Sequence, residues 1–304
     1  MVGLERPRLR PNFPSDLYDH SMAALHPLAG LEPREEDELQ MALRGFVREL
    51  REREPGVRLG ADPEELHKQR VATRRLRSLL RSTRPQLADP DRAERLRDEL
   101  RWLGRLLGEV RDRDVLIAYL VEELGTIEEA GAFGAILELL DDEREQAWNE
   151  VLAALDSPRY RKLIAELEWP PALRDGERLA TAATADYGRL RKAVKRLGAE
   201  PKNEELHRVR IRTKRARYAA EAVGGESRFV ARAKDVQDTL GEHQDAVVAE
   251  ERIRELVAQV RGTGRTALAA GRLIERQRSR RAAARAAWPK AWKRLRAAGD
   301  DAWR

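Results

Sequence analysis

The sequence contains a segment in which basic side chains recur at alternating spacings of three and four residues. Residues three and four apart lie on one side of an α-helix, so the segment predicts a helix with a row of cationic side chains. At a rise of about 1.5 Å per residue the row is about 21 Å long. Guanidinium and imidazole donors arranged in a line are suited to binding phosphate oxygens. This first stripe consists of His67, Arg70, Arg74, Arg77 and Arg81.

A second stripe repeats the pattern later in the chain and consists of His207, Arg210, Lys214 and Arg217. A charged helix face is usually a solvated face on which acids and bases alternate. That interpretation does not fit here, because no Asp or Glu lies within residues 67–84 or 207–220. Like charges on one face repel by about 0.2–0.5 kcal/mol per pair. The two stripes therefore predict a surface that binds an anionic partner.

The histidines that begin the stripes have three interpretations. Each lies near the N-terminus of its predicted helix, where backbone N–H groups add partial positive charge, so each can donate a hydrogen bond to phosphate. Each could instead pack as a structural histidine, or bind a metal. The metal interpretation has little support, because the sequence has five histidines, no cysteine, no His-x-x-x-His pair, and only Glu65 and Glu205 as nearby carboxylates. We predict no metal and no cofactor.

The stripes belong to a longer internal repeat. Residues 65–77 and 205–217 align without gaps, and each is followed by a Leu-Gly-Glu…Asp motif at 107–112 and 240–245. Two motifs repeated in the same order predict that the chain is a duplication of one unit. We expect Gly108 and Gly241 to allow close helix approach. The acids expected to hold stripe arginines from behind are Glu109, Asp112, Glu242 and Asp245. Arg101 and Lys234 lie seven residues before these glycines and are expected to add charge.

Prolines and glycines predict the boundaries of the units. Repeat one is assigned to 35–167 and repeat two to 177–304, joined by a Pro/Gly linker at 168–176, and residues 1–34 form a proline-containing tail or strap. Asp62 and Asn203 are predicted helix caps, and Pro85 and Gly224-Gly225 are predicted helix ends. The other predicted helices cover about 35–54, 91–122, 126–155, 177–197, 227–260 and 265–296. The predicted fold class is all-α, with about four helices per unit in paired antiparallel bundles.

Composition limits the classes of function. The chain of 304 residues has a formal net charge of +6, with 37% charged and 5% aromatic residues. It contains no apolar run of membrane-spanning length and no signal-peptide pattern, which predicts a cytoplasmic protein. No phosphate-binding loop, dinucleotide motif, zinc-protease motif or nucleophile elbow occurs. We therefore predict no catalytic residues and no enzymatic activity.

These motifs resemble the CHAD family, the conserved histidine α-helical domain. The resemblance covers nearly all of the chain from residue 35 onward. It is carried by His67-x-x-Arg70-Val71-x-x-Arg74-Arg75-Leu76-Arg77, Leu107-Gly108-x-x-Arg111-Asp112-x-Asp114-Val115, His207-x-x-Arg210-Ile211-x-x-Lys214-Arg215-x-Arg217-Tyr218 and Leu240-Gly241-x-x-x-Asp245. One departure is Ala216, which stands where the first copy has Leu76.

The resemblance implies two four-helix bundles related by a pseudo-two-fold axis, with basic residues of both lining a groove or pore. It also implies inorganic polyphosphate as the ligand, bound by the two stripes, and association with polyphosphate granules. Some relatives carry a β-rich triphosphatase domain, and its Glu-x-Glu-x-Lys signature does not occur in this sequence. Polyphosphate has no bases, so the scarcity of aromatic residues near the stripes agrees with this ligand.

Three other functions remain open from the sequence. Phosphate-only contacts would also bind DNA or RNA without sequence preference, although no docking motif or aromatic platform is recognisable. The stripes could instead dock an acidic protein to a scaffold, or belong to a phosphatase or kinase that acts on polyphosphate. The sequence does not predict the oligomeric state.

Overall fold

The computed structural model describes residues 38–174, 178–224, 227–260 and 262–303. Over these ranges 87% of the residues are helical and no strand occurs, which confirms the predicted all-α class. None of the described helices is long and apolar enough to cross a lipid bilayer. The predicted tail at 1–34 lies outside the described residues.

The described residues form nine α-helices, and two of them follow directly from proline signals. α3 begins at Pro90 after the cap Asp89, and α5 begins at Pro158 after the cap Ser157, whose hydroxyl accepts from the backbone of Tyr160. The bounds are α1 Glu38–Leu59, α2 Pro63–Thr83, α3 Pro90–Leu124, α4 Gly134–Asp156, α5 Pro158–Leu167, α6 Leu179–Lys195, α7 Asn203–Ala222, α8 Ser227–Gln259 and α9 Gly264–Ala302. Short 3-10 turns occupy Arg84–Gln86 and Ala130–Phe133.

The predicted helix ends are partly right. Asp62 caps α2 by accepting a 2.8 Å hydrogen bond from the backbone of Glu64, and α2 ends two residues before Pro85, as predicted. The predicted Asn203 cap is wrong: Lys202 occupies the cap position, and the side chain of Asn203 accepts from Arg285 at 3.2 Å. Gly224 has φ +64 just after α7, a conformation that favours glycine.

Three helix assignments also differ from the structure. α1 continues through Pro55 to Leu59, and α9 continues through Pro289 to Ala302. The segment predicted as helical from 126 begins its α-helix only at Gly134. α5 at 158–167 was not predicted as a separate helix.

Buried apolar residues form three cores. The first is built by α1, α2 and α5, the N-terminal half of α3 and the C-terminal half of α4. The second is built by α6 and α7, the N-terminal part of α8 and the C-terminal part of α9. The third joins the remaining ends of α3, α4, α8 and α9. The order of elements is therefore similar in the two halves, while the duplication into two four-helix bundles stays a prediction.

The two halves also meet directly where α2 packs against α7 and α6. The buried hydroxyl of Ser82 donates to the buried carboxylate of Asp186 across this contact. The described part of the linker is fixed to the end of α2, because Ala88 donates to the carbonyl of Ala172 at 3.0 Å. This packing positions the two basic stripes beside each other.

Candidate functional site

The two stripes converge at the contact between α2 and α7. The charges of Arg70 and Arg74 on α2 act on Arg210 and Lys214 on α7 and lower the pKa of both groups, although burial is the larger cause. This influence agrees with the packing of α2 against α7, which brings the two stripes together. We call the combined surface the central basic face; its cationic members are Arg70, Arg74, Arg77, Arg81, Arg210 and Lys214.

Lys214 is the most perturbed cation of this face. Burial and the neighbouring guanidinium groups, with that of Arg74 the strongest, lower the pKa of Lys214 to about 6. Removing an ammonium group from water disfavours its charged form, and like charges nearby disfavour it further. Only Asp245 on α8 acts in the opposite direction. The site is therefore short of negative charge.

Four members of the face have no acidic partner. Among the residues that the structure describes, no carboxylate lies within 4.0 Å of the charged groups of Arg74, Arg77, Arg81 or Lys214. The Nε atoms of Arg77 and Arg210 are also buried without a hydrogen-bond partner in the described residues. Burial lowers the pKa of Arg77, and Arg101 lowers it further. The positive charge of these side chains is therefore not neutralised by the described residues of the free protein.

The glycine-acid motifs support two arginines of the face from behind. Arg70 lies 3.4 Å from the carboxylate of Asp112, and Arg210 lies 3.9 Å from that of Asp245. A Cβ atom built on Gly108 would lie 3.5 Å from Nε of Arg70, and one on Gly241 would lie 3.6 Å from Arg210. Each glycine thus leaves space for the side chain of an arginine from the neighbouring helix to cross over the helix that contains the glycine.

The other two acids of these motifs do not reach the stripes. Glu109 pairs with Arg113 at 2.8 Å on its own helix, and Glu242 pairs with Arg280 of α9. The expectation that all four acids hold stripe arginines is therefore wrong for these two. Burial raises the pKa of both Asp112 and Asp245, and each receives a lesser contribution in the opposite direction from its arginine.

A hydrogen bond joins the stripes to each other. Nε of Arg74 donates to the hydroxyl of Tyr218 at 2.9 Å, and the Tyr218 ring lies under the guanidinium of Arg217 at 4.7 Å. The role of Tyr218 was not predicted, although it lies four residues after Lys214 and hence on the same face of α7. The tyrosine fixes the direction in which Arg74 extends.

Arg217 differs from the other stripe residues. Its guanidinium lies 3.0 Å from the carboxylate of Glu221, and its side chain is only 11% exposed. An arginine that is neutralised and buried in this way is a poor ligand contact. Since Arg217 stacks on Tyr218, it supports the face from beneath.

The two stripe histidines have different surroundings. Burial lowers the pKa of His67, neighbouring Arg111 lowers it further, and its Nδ1 is buried without a partner among the described residues. Nδ1 of His207 instead lies 3.0 Å from the side-chain oxygen of Gln244. The role of Arg111 beside His67 was not predicted from the sequence. No cluster of three metal-binding side chains occurs in the described parts of the chain.

The two predicted flanking cations are both exposed. Arg101 on α3 lies close enough to Arg77 to lower its pKa, and it pairs with Asp98 at 2.8 Å. Lys234 occupies the corresponding position on α8 and is also exposed. Arg101 thus joins one end of the central basic face, while Lys234 makes no ion pair with the face among the described residues.

The arrangement offers chemistry for binding an extended anion. Guanidinium and ammonium donors from two helices form one continuous surface that carries more positive than negative charge. When such a surface binds a chain of phosphates, charge-assisted hydrogen bonds form and the repulsion between its cationic side chains is reduced.

Comparison with known proteins identifies relatives of this chain. The chain is 31% identical over 230 residues to an uncharacterized protein found in two strains of Mycobacterium tuberculosis. The aligned region covers 70% of this chain and 44% of the relative, so this chain spans less than half the length of those proteins.

Solved structures and a family profile agree with each other. PptA from Streptomyces chartreusis superposes with a TM-score of 0.74 at 26% identity, covering 84% of this chain and 98% of PptA. The crystal structure of the CHAD domain from the plant Ricinus communis superposes with a TM-score of 0.68 at 28% identity, covering 93% and 98%. The profile of the CHAD domain matches residues 41–254, which include both stripes and both glycine motifs. The chain therefore belongs to the CHAD domain family.

Proposed function

We propose that this protein binds inorganic polyphosphate on the central basic face. The observation that carries this function is the set of four cationic side chains from α2 and α7 without an acidic partner, at which Lys214 has a pKa of about 6. A polyanion would supply the missing negative charge and stabilise these groups as cations. Membership of the CHAD family supports a role related to polyphosphate.

The form of the surface favours a ligand without bases. Proteins that bind single-stranded nucleic acid without sequence preference usually present exposed aromatic rings for stacking. The aromatic residue of the central basic face is Tyr218, and its side chain is only 1% exposed and already contacts Arg74 and Arg217. A base could not stack on it. Phosphate groups alone would form the ligand.

We also propose that binding occurs without turnover and places the protein on polyphosphate granules in the cytoplasm. Asp112 and Asp245, the acids nearest the face, each lie beside an arginine. These two carboxylates thus interact with Arg70 and Arg210 and are not free to act as catalytic acids or bases. Polyphosphate recovered after incubation with the protein should keep its chain length, as measured by phosphorus NMR, whereas shortened chains would show an enzyme.

The test of the site compares two triple variants that each lose three basic side chains. The first replaces Arg74, Arg77 and Lys214 by Ala. The control replaces Lys290, Lys293 and Arg294 by Ala, which are exposed residues of α9 without an ion pair among the described residues. Loss of three charge-assisted contacts should weaken polyphosphate binding about 100-fold or more. The control should bind within about twofold of the wild type.

Melting temperature separates a lost contact from a lost fold. Since Arg74 repels Arg77 and burial disfavours the charged form of Lys214, removal of the three side chains should change the melting temperature little. Equal binding by the two triple variants would contradict the assignment of the site.

A further inference from the structure

A second basic surface lies outside the two stripes. It is a cleft of about 460 Å³ between α6 and α7. It faces away from the stripe residues of α7, because its lining residues lie on another side of that helix. The charged residues that line this α6–α7 cleft are Arg189, Lys192, Arg196, Glu205, Arg208 and Arg212.

The first half of the chain lacks most of this charge. His207 follows His67 by 140 residues, and the same offset aligns the buried residues of α6 with those of α1, such as Leu190 with Leu50 and Leu179 with Leu39. At this offset the cleft residues Arg189, Lys192, Arg196 and Arg212 correspond to Glu49, Glu52, Gly56 and Ala72. Arg208 is the cleft cation with a basic counterpart, which is Lys68. The cleft is therefore a feature of one half, and a need of the fold does not explain its charge.

Most of the cleft cations are available. No carboxylate lies within 4.0 Å of the charged groups of Lys192, Arg196 or Arg212 among the described residues. Arg208 lies 3.9 Å from Glu205, a long contact for an ion pair, and its side chain is 64% exposed. A solvated helix face would be expected to include more acids.

The α6–α7 cleft is connected to the central basic face by Arg215. On the opposite side of the α2–α7 contact, Arg75 lies 3.6 Å from Glu221 and forms an ion pair between the halves. At the 140-residue offset, Arg75 corresponds to Arg215 and Glu221 corresponds to Arg81. The equivalent position on this side therefore has two cations.

Electrostatic coupling confirms that the two arginines are neighbours. Burial lowers the pKa of Arg215 to about 10, and Arg81 is the strongest neighbouring charge. Asp186 acts next and raises this pKa, while Arg212 and Arg189 lower it further. Arg81 belongs to the central basic face, while Arg212 and Arg189 line the cleft. Arginines thus connect one surface to the other, and the buried carboxylate among them, Asp186, already pairs with Arg189 at 2.7 Å.

We propose that the polyphosphate-binding track continues from the central basic face past Arg81 and Arg215 into the α6–α7 cleft. A long chain would leave the face past the two arginines on this side, whereas the other side of the helix contact holds the neutralised pair of Arg75 and Glu221. The cleft then holds a further stretch of the same polymer. This extension requires that the central basic face binds polyphosphate, as proposed above.

The experiment measures how binding depends on chain length. The cleft variant replaces Lys192, Arg196 and Arg212 by Ala, which breaks no observed ion pair. The control is the α9 triple variant, which loses the same charge. Long-chain polyphosphate and tripolyphosphate are titrated into each protein across a range of salt concentrations. Tripolyphosphate is too short to occupy both surfaces.

The cleft variant should bind long-chain polyphosphate about tenfold more weakly than the control and tripolyphosphate equally well. Its salt slope for the long chain should fall by about 2, since about 0.7 counterions are released per contact with a single-stranded polyanion. Equal affinity of the cleft variant and the control for the long chain would overturn the extension alone. If the wild-type protein bound neither ligand, the proposed function itself would fail.

Discussion

Arg74 of α2 donates a 2.9 Å hydrogen bond from Nε to the hydroxyl of Tyr218 on α7. These residues are 144 positions apart and belong to different halves of the chain. The bond uses only Nε, so both terminal nitrogens of the guanidinium remain for a ligand. A phosphate can therefore meet an arginine whose direction is already fixed, which lowers the entropic cost of binding.

Tyr218→Phe tests this positioning. The ring and its contact with Arg217 are retained, while the acceptor for Arg74 is lost. A hydrogen bond that involves a charged group contributes about 1.5–3 kcal/mol, so polyphosphate should bind at least about tenfold more weakly, measured by calorimetric titration. The Arg74→Ala variant supplies the control, because Tyr218→Phe should have little further effect in that background. Additive losses in the double variant would show that the tyrosine acts independently of Arg74.

Spacing alone predicted the side chains that share a helix face. His67, Arg70, Arg74, Arg77 and Arg81 lie on one helix, as the three-and-four pattern required, because the geometry of an α-helix depends little on its surroundings. The convergence of the stripes could not be derived from the residues. It depends on how α2 packs against α7, which is determined by many apolar contacts in two cores.

The ion pair of Arg217 with Glu221 could have been predicted from the sequence. Glu221 lies four residues after Arg217, the spacing of a helical ion pair, and just beyond the acid-free segment 207–220. The missed α5 also had a local signal, since Ser157-Pro158 is a typical helix start. Burial of Lys214, by contrast, has no signal in one sequence, because Arg70 and Arg74 approach it from the other half.

Substitutions at Gly108 test whether the space above this glycine positions Arg70, because they leave all charges in place. Gly108→Ala places a Cβ atom 3.5 Å from Nε of Arg70, an ordinary contact, and should stabilise the mid-helix position by about 0.5–1 kcal/mol. Binding should be unchanged. Gly108→Leu fills the space over which Arg70 crosses and should weaken polyphosphate binding about fivefold or more. A leucine variant that bound as tightly as the alanine variant would show that the glycine does not position Arg70.

The pH dependence of binding should report on Lys214. Its pKa is about 6 in the free protein, and a bound polyanion should raise it toward the ordinary value of 10.5. The complex then holds more protons than the free protein between these values, so affinity should be greatest below pH 6 and fall as the pH rises. Titrations at about pH 8 in buffers of different ionisation enthalpy should show proton uptake on binding.

Lys214→Arg is the control for this pH dependence. Arginine keeps its charge throughout this range, so the variant should take up fewer protons and bind with a flatter pH profile. Identical proton uptake by the variant and the wild type would assign the uptake to another group.

Lys214 should also reduce stability in the free protein. Its folded pKa lies below the unfolded one, so the unfolded state binds more protons between pH 6 and 10.5 and stability rises with pH in that window. Lys214→Met removes both the burial cost and the repulsion from Arg74. The melting temperature at neutral pH should rise by about 2–4 °C, measured by calorimetry, while polyphosphate binding weakens. A lower melting temperature would mean that Lys214 contributes to folding.

The central claim is that the central basic face selects polyphosphate over other polyanions. Calorimetric titration with long-chain polyphosphate, duplex DNA and single-stranded RNA, each at about 0.15 M salt, tests it most directly. We predict tight binding of polyphosphate, much weaker binding of both nucleic acids, and loss of the polyphosphate signal when Arg74, Arg77 and Lys214 are replaced by Ala. Equal or tighter binding of DNA or RNA would contradict the claim and make polyphosphate a substitute for a nucleic-acid backbone.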